Sequence, residues 1–237
     1  MAVRKSIDFP RAALRRLFFQ RCFYLFVLLL GLITVSPFVE GRHGAYILAG
    51  FNAFIVLSAA AAVGRTALSF LAVFCLVGGA MSLRFASDQP GQSELFNWAL
   101  LLHAIAYVSV IALLLRYVFG PEVLDSDRLW GAAAVYLMIG ILWCFIYGLT
   151  VLRDADAFLV RGEAHGLDLT ALLYFSFSTL TTIGFGDIVP NSRPGQVAAI
   201  IEGIIGTLFL AILIAKLVGV YPPPVRETPP GPLAPKE

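Results

Sequence analysis

The chain has 237 residues, of which 59% are hydrophobic and only 14% are charged. A soluble domain of this length carries much more charge, so the composition predicts an integral membrane protein. The net charge is only +2 and the basic residues form no patch between aromatics, which argues against a nucleic-acid partner.

The first 16 residues form a basic, cytosolic or interfacial segment in front of the first apolar run. In DFPRAALRRLFFQR, arginines stand opposite apolar side chains such as Leu14 and Phe18, which suits a helix that lies on the membrane surface. A basic topology signal without structure of its own explains the same residues, and both interpretations stand. No cleavage site follows cleanly, and the apolar run is longer than the core of a signal peptide, so we expect a retained helix.

Six apolar stretches are long enough to cross a bilayer, which takes about 20 residues of helix. They lie at 17–38, 44–63, 66–83, 96–118, 129–152 and 196–220. Backbone amides in hydrocarbon must be bonded within their own segment, so runs of this length are helical and the predicted fold class is an all-α membrane protein. We divide the chain into a four-helix domain at 17–128, a second domain at 129–220 and an extended or disordered proline-rich tail at 221–237.

The basic residues predict the orientation of these helices. Six spans place both termini on one side of the membrane, and twelve of the seventeen Lys and Arg residues lie on that side. The positive-inside rule therefore predicts a multi-pass protein of the cell membrane with both termini in the cytosol. The loops on the opposite side carry more acidic than basic residues, which would concentrate cations there.

The segment between the fifth and sixth spans contains the sequence TTIGFGD at 181–187. Before it, Asp168 is predicted to cap an apolar helix of about 13 residues, which is too short to cross the membrane and is typical of a re-entrant helix. Non-helical backbone at membrane depth is tolerated only where it is buried in protein or lines a wet pathway. Glycines allow the chain to turn its carbonyl oxygens to one side, where they replace the hydration shell of a monovalent cation. A simple glycine-rich turn leaves the re-entrant segment unexplained.

The motif TIGFGD at 182–187 resembles the selectivity-filter signature of potassium channels, in the phenylalanine-containing form also found among two-pore-domain channels. The resemblance covers about 129–220, with an outer helix, a pore helix, the filter and an inner helix, so we call this part the pore domain. Residues 1–128 match the six-helix channel layout only in the number of their helices. Because each chain carries one filter, the resemblance implies a homotetramer.

The resemblance also implies a role for each residue of the motif. The carbonyl oxygens of the first four residues, together with the threonine hydroxyl, would form successive potassium sites, and the last two residues would form the outer mouth. The filter residues are Thr182, Ile183, Gly184, Phe185 and Gly186, and Asp187 follows at the mouth.

Three residues around the filter bear on its support. Phe185 replaces the commoner tyrosine, so a hydrogen bond between filter and pore helix is missing and the filter is expected to collapse more easily. Ser178 stands where some relatives hold a glutamate behind the filter, which leaves Asp187 without a carboxyl partner. Glu202 lies well inside the sixth span, where a carboxylate is costly and needs a partner. We predict that it bonds the pore-helix end or Arg193 and supports the filter; a shallow Glu202 that reaches the membrane interface is the alternative.

Residues on the inner helix suggest a hinge and a cavity lining. Gly206 stands twenty residues after Gly186, where many members of the family carry a gating hinge, although a glycine that permits close helix packing fits equally well. The cavity-facing candidates at helical spacing are Thr207, Leu210 and Ile214, for which a lipid-facing position is the alternative.

The fourth span lacks the charges of a voltage sensor. Each charge moved through 100 mV yields about 2.3 kcal/mol, so a sensor needs several of them. This span holds only Arg116, at its cytosolic end, and His103, which we interpret as a structural residue rather than a proton sensor. We therefore expect weak or no voltage dependence and a scaffold role for the first four helices.

The leading hypothesis is a tetrameric potassium-selective channel that conducts K⁺ passively, is embedded in membrane lipids, and uses no cofactor and no enzymatic step. A potassium transporter subunit would need four filter-like segments in one chain, and this sequence has one. No Ser/His pair, aspartate pair or HExxH motif supports an intramembrane enzyme. A poorly selective cation channel remains open, because a loose Phe185 filter would produce one.

Overall fold

The structure is a computed structural model that describes residues 21–39, 41–63, 67–88, 94–120, 125–164 and 167–220. Within these ranges it contains seven α-helices, three short strands and a short 3₁₀ turn. Six long helices cover the predicted spans: α1 Arg21–Val35, α2 Gly41–Val63, α3 Ala67–Ala86, α4 Glu94–Val118, α5 Ser126–Arg153 and, at the end, α7 Arg193–Val220. The short helix α6 Leu169–Leu180 precedes the last of them.

The six long helices are each long and apolar enough to cross a membrane. The predicted all-α membrane fold is therefore confirmed, and the helix ends differ from the predicted ones by only a few residues. The predictions for the basic segment 1–16 and the proline-rich tail 221–237 lie outside the described residues.

Helix α5 is the central element of the chain. It packs against α4 and α1 on one side and against α6 and α7 on the other. Small side chains along it, among them Ala132, Ala134 and Gly140, are buried and let neighbouring helices approach closely. The first four helices and the pore elements are thus joined through α5 in one chain.

The membrane end at which α5 begins is fixed by aspartates. Asp125 caps the helix, since its side chain accepts a hydrogen bond from Asp127 N. The Asp127 carboxylate in turn accepts from the Cys22 amide of α1 at 2.9 Å and from the Tyr117 hydroxyl of α4 at 2.8 Å. One side chain therefore holds three helices together.

Replacing Asp127 by alanine is expected to destabilise the folded protein by about 1–3 kcal/mol, because an amide and a hydroxyl lose a charged acceptor. Thermal unfolding in detergent micelles measures this as a lower melting temperature. Asp156→Ala is the control, since this exposed aspartate lies beyond the other end of α5. Equal melting temperatures for the two variants would contradict the role of Asp127.

A small antiparallel sheet follows α5 and was not predicted from the sequence. Its strands are β1 Phe158–Val160, β2 Glu163–Ala164 and β3 Ile188–Pro190, in the order β2-β1-β3. Arg161 and Gly162 join β1 to β2 with φ angles of 51° and 88°, as a two-residue type I′ hairpin requires. Since β3 comes directly after TTIGFGD, the sheet fixes the exit of that segment to the hairpin that precedes it.

Candidate selectivity filter and its support

After helix α6 the chain turns back to the end at which the helix begins. Asp168 caps the helix as predicted, because its Oδ1 accepts from Ala171 N at 2.8 Å. At 1.5 Å per residue the twelve residues of α6 span about 18 Å, which is too short to cross a bilayer. The pairing of β1 with β3 places the start and the end of the segment side by side. The predicted re-entrant helix is therefore present.

The backbone of the filter motif alternates in conformation from residue to residue. Thr182, Gly184 and Gly186 have φ angles of 60°, 57° and 76°, whereas the residues between them have negative φ angles. In a β-strand successive carbonyls point to opposite sides, and alternating left- and right-handed residues instead turn them to one side. Thr182 adopts this conformation without being a glycine, which is the kind of local strain that accumulates at functional sites.

Three amides of the filter are held by Ser178 of α6. Ser178 O accepts from Ile183 N at 3.0 Å and from Gly184 N at 3.1 Å, and Ser178 Oγ accepts from Phe185 N at 3.3 Å. None of the described peptide bonds is cis, so the N–H and the C=O of each peptide point in opposite directions. Three amides that point towards Ser178 therefore turn the carbonyls of Thr182, Ile183 and Gly184 away from α6.

Asp187 has a hydroxyl partner that the sequence analysis missed. Its Oδ2 accepts from Tyr174 OH at 3.0 Å, and the Tyr174 ring stacks on Phe185 with a centroid distance of 5.9 Å. Tyr174 lies one helical turn before Ser178, so both face the filter from the same side of α6. The four-residue spacing of these two polar residues was the sequence signal that could have indicated this shared face of α6. A hydrogen bond thus joins the filter segment to the pore helix α6 although Phe185 has no hydroxyl, and the hydroxyl belongs to Tyr174 of the helix.

Tyr174→Phe is expected to weaken the filter mouth, because the carboxylate of Asp187 loses the hydroxyl that ties it to α6. We expect a faster decay of potassium flux with time in proteoliposomes, with little change in melting temperature. Tyr24→Phe is the matched control, since Tyr24 is exposed on α1, away from the filter. Identical flux decay in the two variants would exclude a role of the Tyr174–Asp187 hydrogen bond in stabilising the filter.

Behind α6, a polar cluster joins three helices in the protein interior. Glu202 of α7 is 0% exposed, so the alternative that it reaches the membrane interface is wrong. Its Oε2 accepts a hydrogen bond from Tyr147 OH of α5, and its Oε1 lies 2.5 Å from Ser176 Oγ of α6. The predicted bond to the pore helix is therefore present, at Ser176 rather than at the helix end or at Arg193. The sequence analysis did not single out Tyr147 or Ser176.

Close helix packing surrounds the inner-helix glycine. A Cβ on Gly206 would lie 2.5 Å from the Leu180 carbonyl oxygen, so α7 touches the end of α6 there. Tyr136 OH donates to the same oxygen at 3.1 Å. This close contact supports the packing interpretation of Gly206. The role of the residue as a hinge stays a prediction.

The predicted cavity residues lie on an exposed face of α7. Thr207 donates its hydroxyl to Gly203 O within the helix, and Leu210 and Ile214 are exposed in the single chain. These three residues share one exposed face of α7, and their cavity-lining role stays a prediction. Near the other end of α7, Lys216 Nζ donates to Val118 O at 2.9 Å, which ties this helix to the last turn of α4.

His103 is a satisfied residue of the helix interior, as expected. It is buried on α4, its Nδ1 lies 2.8 Å from Ala99 O, and its ring stacks on Phe145. Arg116, by contrast, is exposed near the end of α4. Along the described helix α4 no further cation accompanies them.

Comparison with known proteins relates the part of the chain around the filter motif to ion channels. The family described as "Ion channel" matches residues 132–221, which include α6, the filter motif and α7. Residues 132–221 are thus similar to an ion-channel domain, and the six long apolar helices indicate a multi-pass membrane protein. Two curated relatives are the voltage-gated potassium channel regulatory subunit KCNG1 of Mus musculus and that of Rattus norvegicus, each 28% identical over 152 residues.

These matches support the resemblance to potassium channels that the motif TIGFGD predicted. The alignments cover 61% of this chain and 28% of each relative, so the chain spans less than a third of the length of the curated relatives it matches. No solved structure matches the chain significantly.

Proposed function

We propose that the chain forms a potassium-selective channel that conducts K⁺ passively through a pore at the filter motif. The observation that carries the proposal is that Ser178 accepts hydrogen bonds from three filter amides. These bonds turn the carbonyls of Thr182, Ile183 and Gly184 to the opposite side. Such a column of oxygens replaces the hydration shell of a potassium ion. We assign a further filter ligand to Phe185, and the outer mouth to Gly186 and Asp187.

The pore is closed by four copies of the chain. One chain supplies one column of carbonyls, whereas a potassium filter is built from four such loops. Ile183 and Phe185 are 59% and 64% exposed in the single chain, although both are apolar side chains of filter residues. Neighbouring chains in a homotetramer would cover these side chains. Native mass spectrometry of the detergent-solubilised protein tests the number of subunits.

The first four helices serve as a scaffold in this proposal, and gating depends weakly or not at all on voltage. Arg116 alone gives α4 too little charge for a steep response. The distribution of basic residues supports a location in the cell membrane with both termini in the cytosol. The channel acts on K⁺ within membrane lipids, without a cofactor, an enzymatic step or a nucleic-acid partner.

The reversal potential across a planar bilayer tests selectivity, with potassium on one side and sodium on the other. A potential close to the potassium equilibrium value is the expected result. A potential near zero with clear current would replace the proposal by a poorly selective cation channel, and the absent hydroxyl of Phe185 would then be the first place to look. Potassium-driven uptake of tracer rubidium into proteoliposomes supplies the signal if single channels open too rarely.

A further inference from the structure

The cluster behind α6 contains more acceptors than the hydroxyl of Ser176 can serve. Ser176 Oγ lies 2.7 Å from Gly140 O and 2.5 Å from Glu202 Oε1, both within hydrogen-bond distance. A serine hydroxyl carries one proton. Gly140 O is a carbonyl and only accepts. If Glu202 were a carboxylate, it too would only accept, and one of the two short contacts would lack a proton.

Among the described residues, the groups that face Glu202 from the surrounding helices supply no positive charge. On α5 the nearby titratable groups are Tyr147, Cys144 and Tyr136, all of which are neutral at pH 7. The sequence of α6, Leu169–Leu180, contains no charged residue at all. On α7 the cations stand near its two ends, at Arg193 and Lys216. A buried carboxylate without a cation pays a large desolvation cost.

We propose that Glu202 is a proton-binding site and is a neutral carboxylic acid in the folded channel at neutral pH. Its Oε1–H donates to Ser176 Oγ, the Ser176 hydroxyl donates to Gly140 O, and Tyr147 OH donates to Glu202 Oε2. Each contact then has one proton and one acceptor.

The bound proton completes a link between α5, α6 and α7. Gly140 permits the link, because a Cβ there would lie 2.7 Å from the Phe177 ring and would push α6 away. Ser176 lies two residues before Ser178, which holds the filter amides. Loss of the proton at high pH would leave a buried charge and one unmatched contact beneath the filter. Glu202 is therefore a positioning residue that acts on the filter through α6.

Infrared spectroscopy of the full chain in proteoliposomes detects the proton directly, because a carboxylic acid and a carboxylate absorb at different frequencies. The chain is produced with carboxyl-¹³C glutamate, so that only glutamates shift. We expect one protonated-glutamate band at neutral pH that shifts with the label, is absent in Glu202→Gln and persists in Glu94→Gln. Glu94 is the control because it is exposed at the start of α4.

A labelled wild type with only ionised glutamates at neutral pH would overturn the proposal, and this result does not depend on whether Glu202→Gln folds. A protonated band that persists in a folded Glu202→Gln would overturn it as well. The inference goes beyond ion selectivity. A bilayer experiment without potassium selectivity would remove the proposed function and leave the protonated band in place, so the two failures are distinguishable.

The effect on transport gives a second test. The amide of Glu202→Gln donates to Ser176 and accepts from Tyr147, as the neutral acid does, so we expect its melting temperature at pH 7 to stay close to that of wild type. The flux of each protein is compared with its own value at pH 7. At high pH we expect flux to fall in wild type and to persist in Glu202→Gln. Equal high-pH losses in the two proteins would contradict a role of this proton in transport.

Discussion

Replacing Gly206 by alanine is expected to remove most of the ion flux and to lower the melting temperature. The new Cβ would lie 2.5 Å from Leu180 O and 2.9 Å from Leu180 Cδ1. A leucine side chain can rotate, but the carbonyl belongs to the backbone at the end of α6 and already accepts from Tyr136 OH. The end of α6 must therefore move, and overpacking of this kind costs about 1–3 kcal/mol. Because the filter motif starts within two residues of Leu180, the displacement reaches the proposed potassium sites.

Gly203→Ala is the matched control for this prediction. It lies on the same helix one turn earlier, and a Cβ there would have no atom within 4 Å in the chain. We expect wild-type melting temperature and flux for this variant. The pair also separates the two interpretations of Gly206. A Gly206→Ala protein with a normal melting temperature and a changed open probability would favour a hinge over a packing contact.

The sequence predicted the membrane helices well because their signal is local. A run of about 20 apolar residues has few structural options in a bilayer, and each run here is separated from the next by charged, glycine or proline residues. The cap at Asp168 is local in the same sense, since an aspartate side chain reaches the amide three residues ahead. Boundaries shifted by a few residues because helix ends also depend on the loops around them.

The sheet between the end of α5 and the start of α7 was missed for the opposite reason. The strand Phe158–Val160 is three residues long and forms only because Ile188–Pro190 lies beside it, about thirty residues later in the chain. The segment at 153–168 contains enough charged residues and glycine to resemble a loop. The turn residues Arg161 and Gly162 were the available signal for the hairpin.

The supporting side chains needed tertiary information. Glu202 was recognised because a carboxylate in a membrane helix is unusual. Its partners Tyr147 and Ser176 are ordinary residues in apolar helices, and nothing in the sequence indicates which helix faces of α5 and α6 meet α7. The same holds for Tyr174, whose hydroxyl matters only because the chain returns past it at Asp187. Motif residues were thus predictable, and the groups that hold them were not.

Gly184→Ala is expected to abolish potassium flux by distorting the filter backbone rather than by a clash. Gly184 has a φ angle of 57°, and a Cβ there would have no atom within 4 Å in the chain. An L-residue in this left-handed conformation costs roughly 1–2 kcal/mol. The chain can relieve that cost by rotating the adjacent peptides, which turns a carbonyl away from its neighbours. Tracer rubidium uptake into proteoliposomes measures the loss, which we expect to be tenfold or more, since about 1.4 kcal/mol corresponds to a factor of ten.

Gly162→Ala separates filter geometry from backbone strain. Gly162 has a φ angle of 88° and equally open surroundings, but it lies in the hairpin between β1 and β2. The two substitutions therefore impose a similar conformational cost at different places. If the alternating backbone at 182–186 forms the ion pathway, Gly162→Ala keeps its flux although its melting temperature falls as much as that of Gly184→Ala. Equal flux in the two variants would mean that ions do not pass along the carbonyls of this motif.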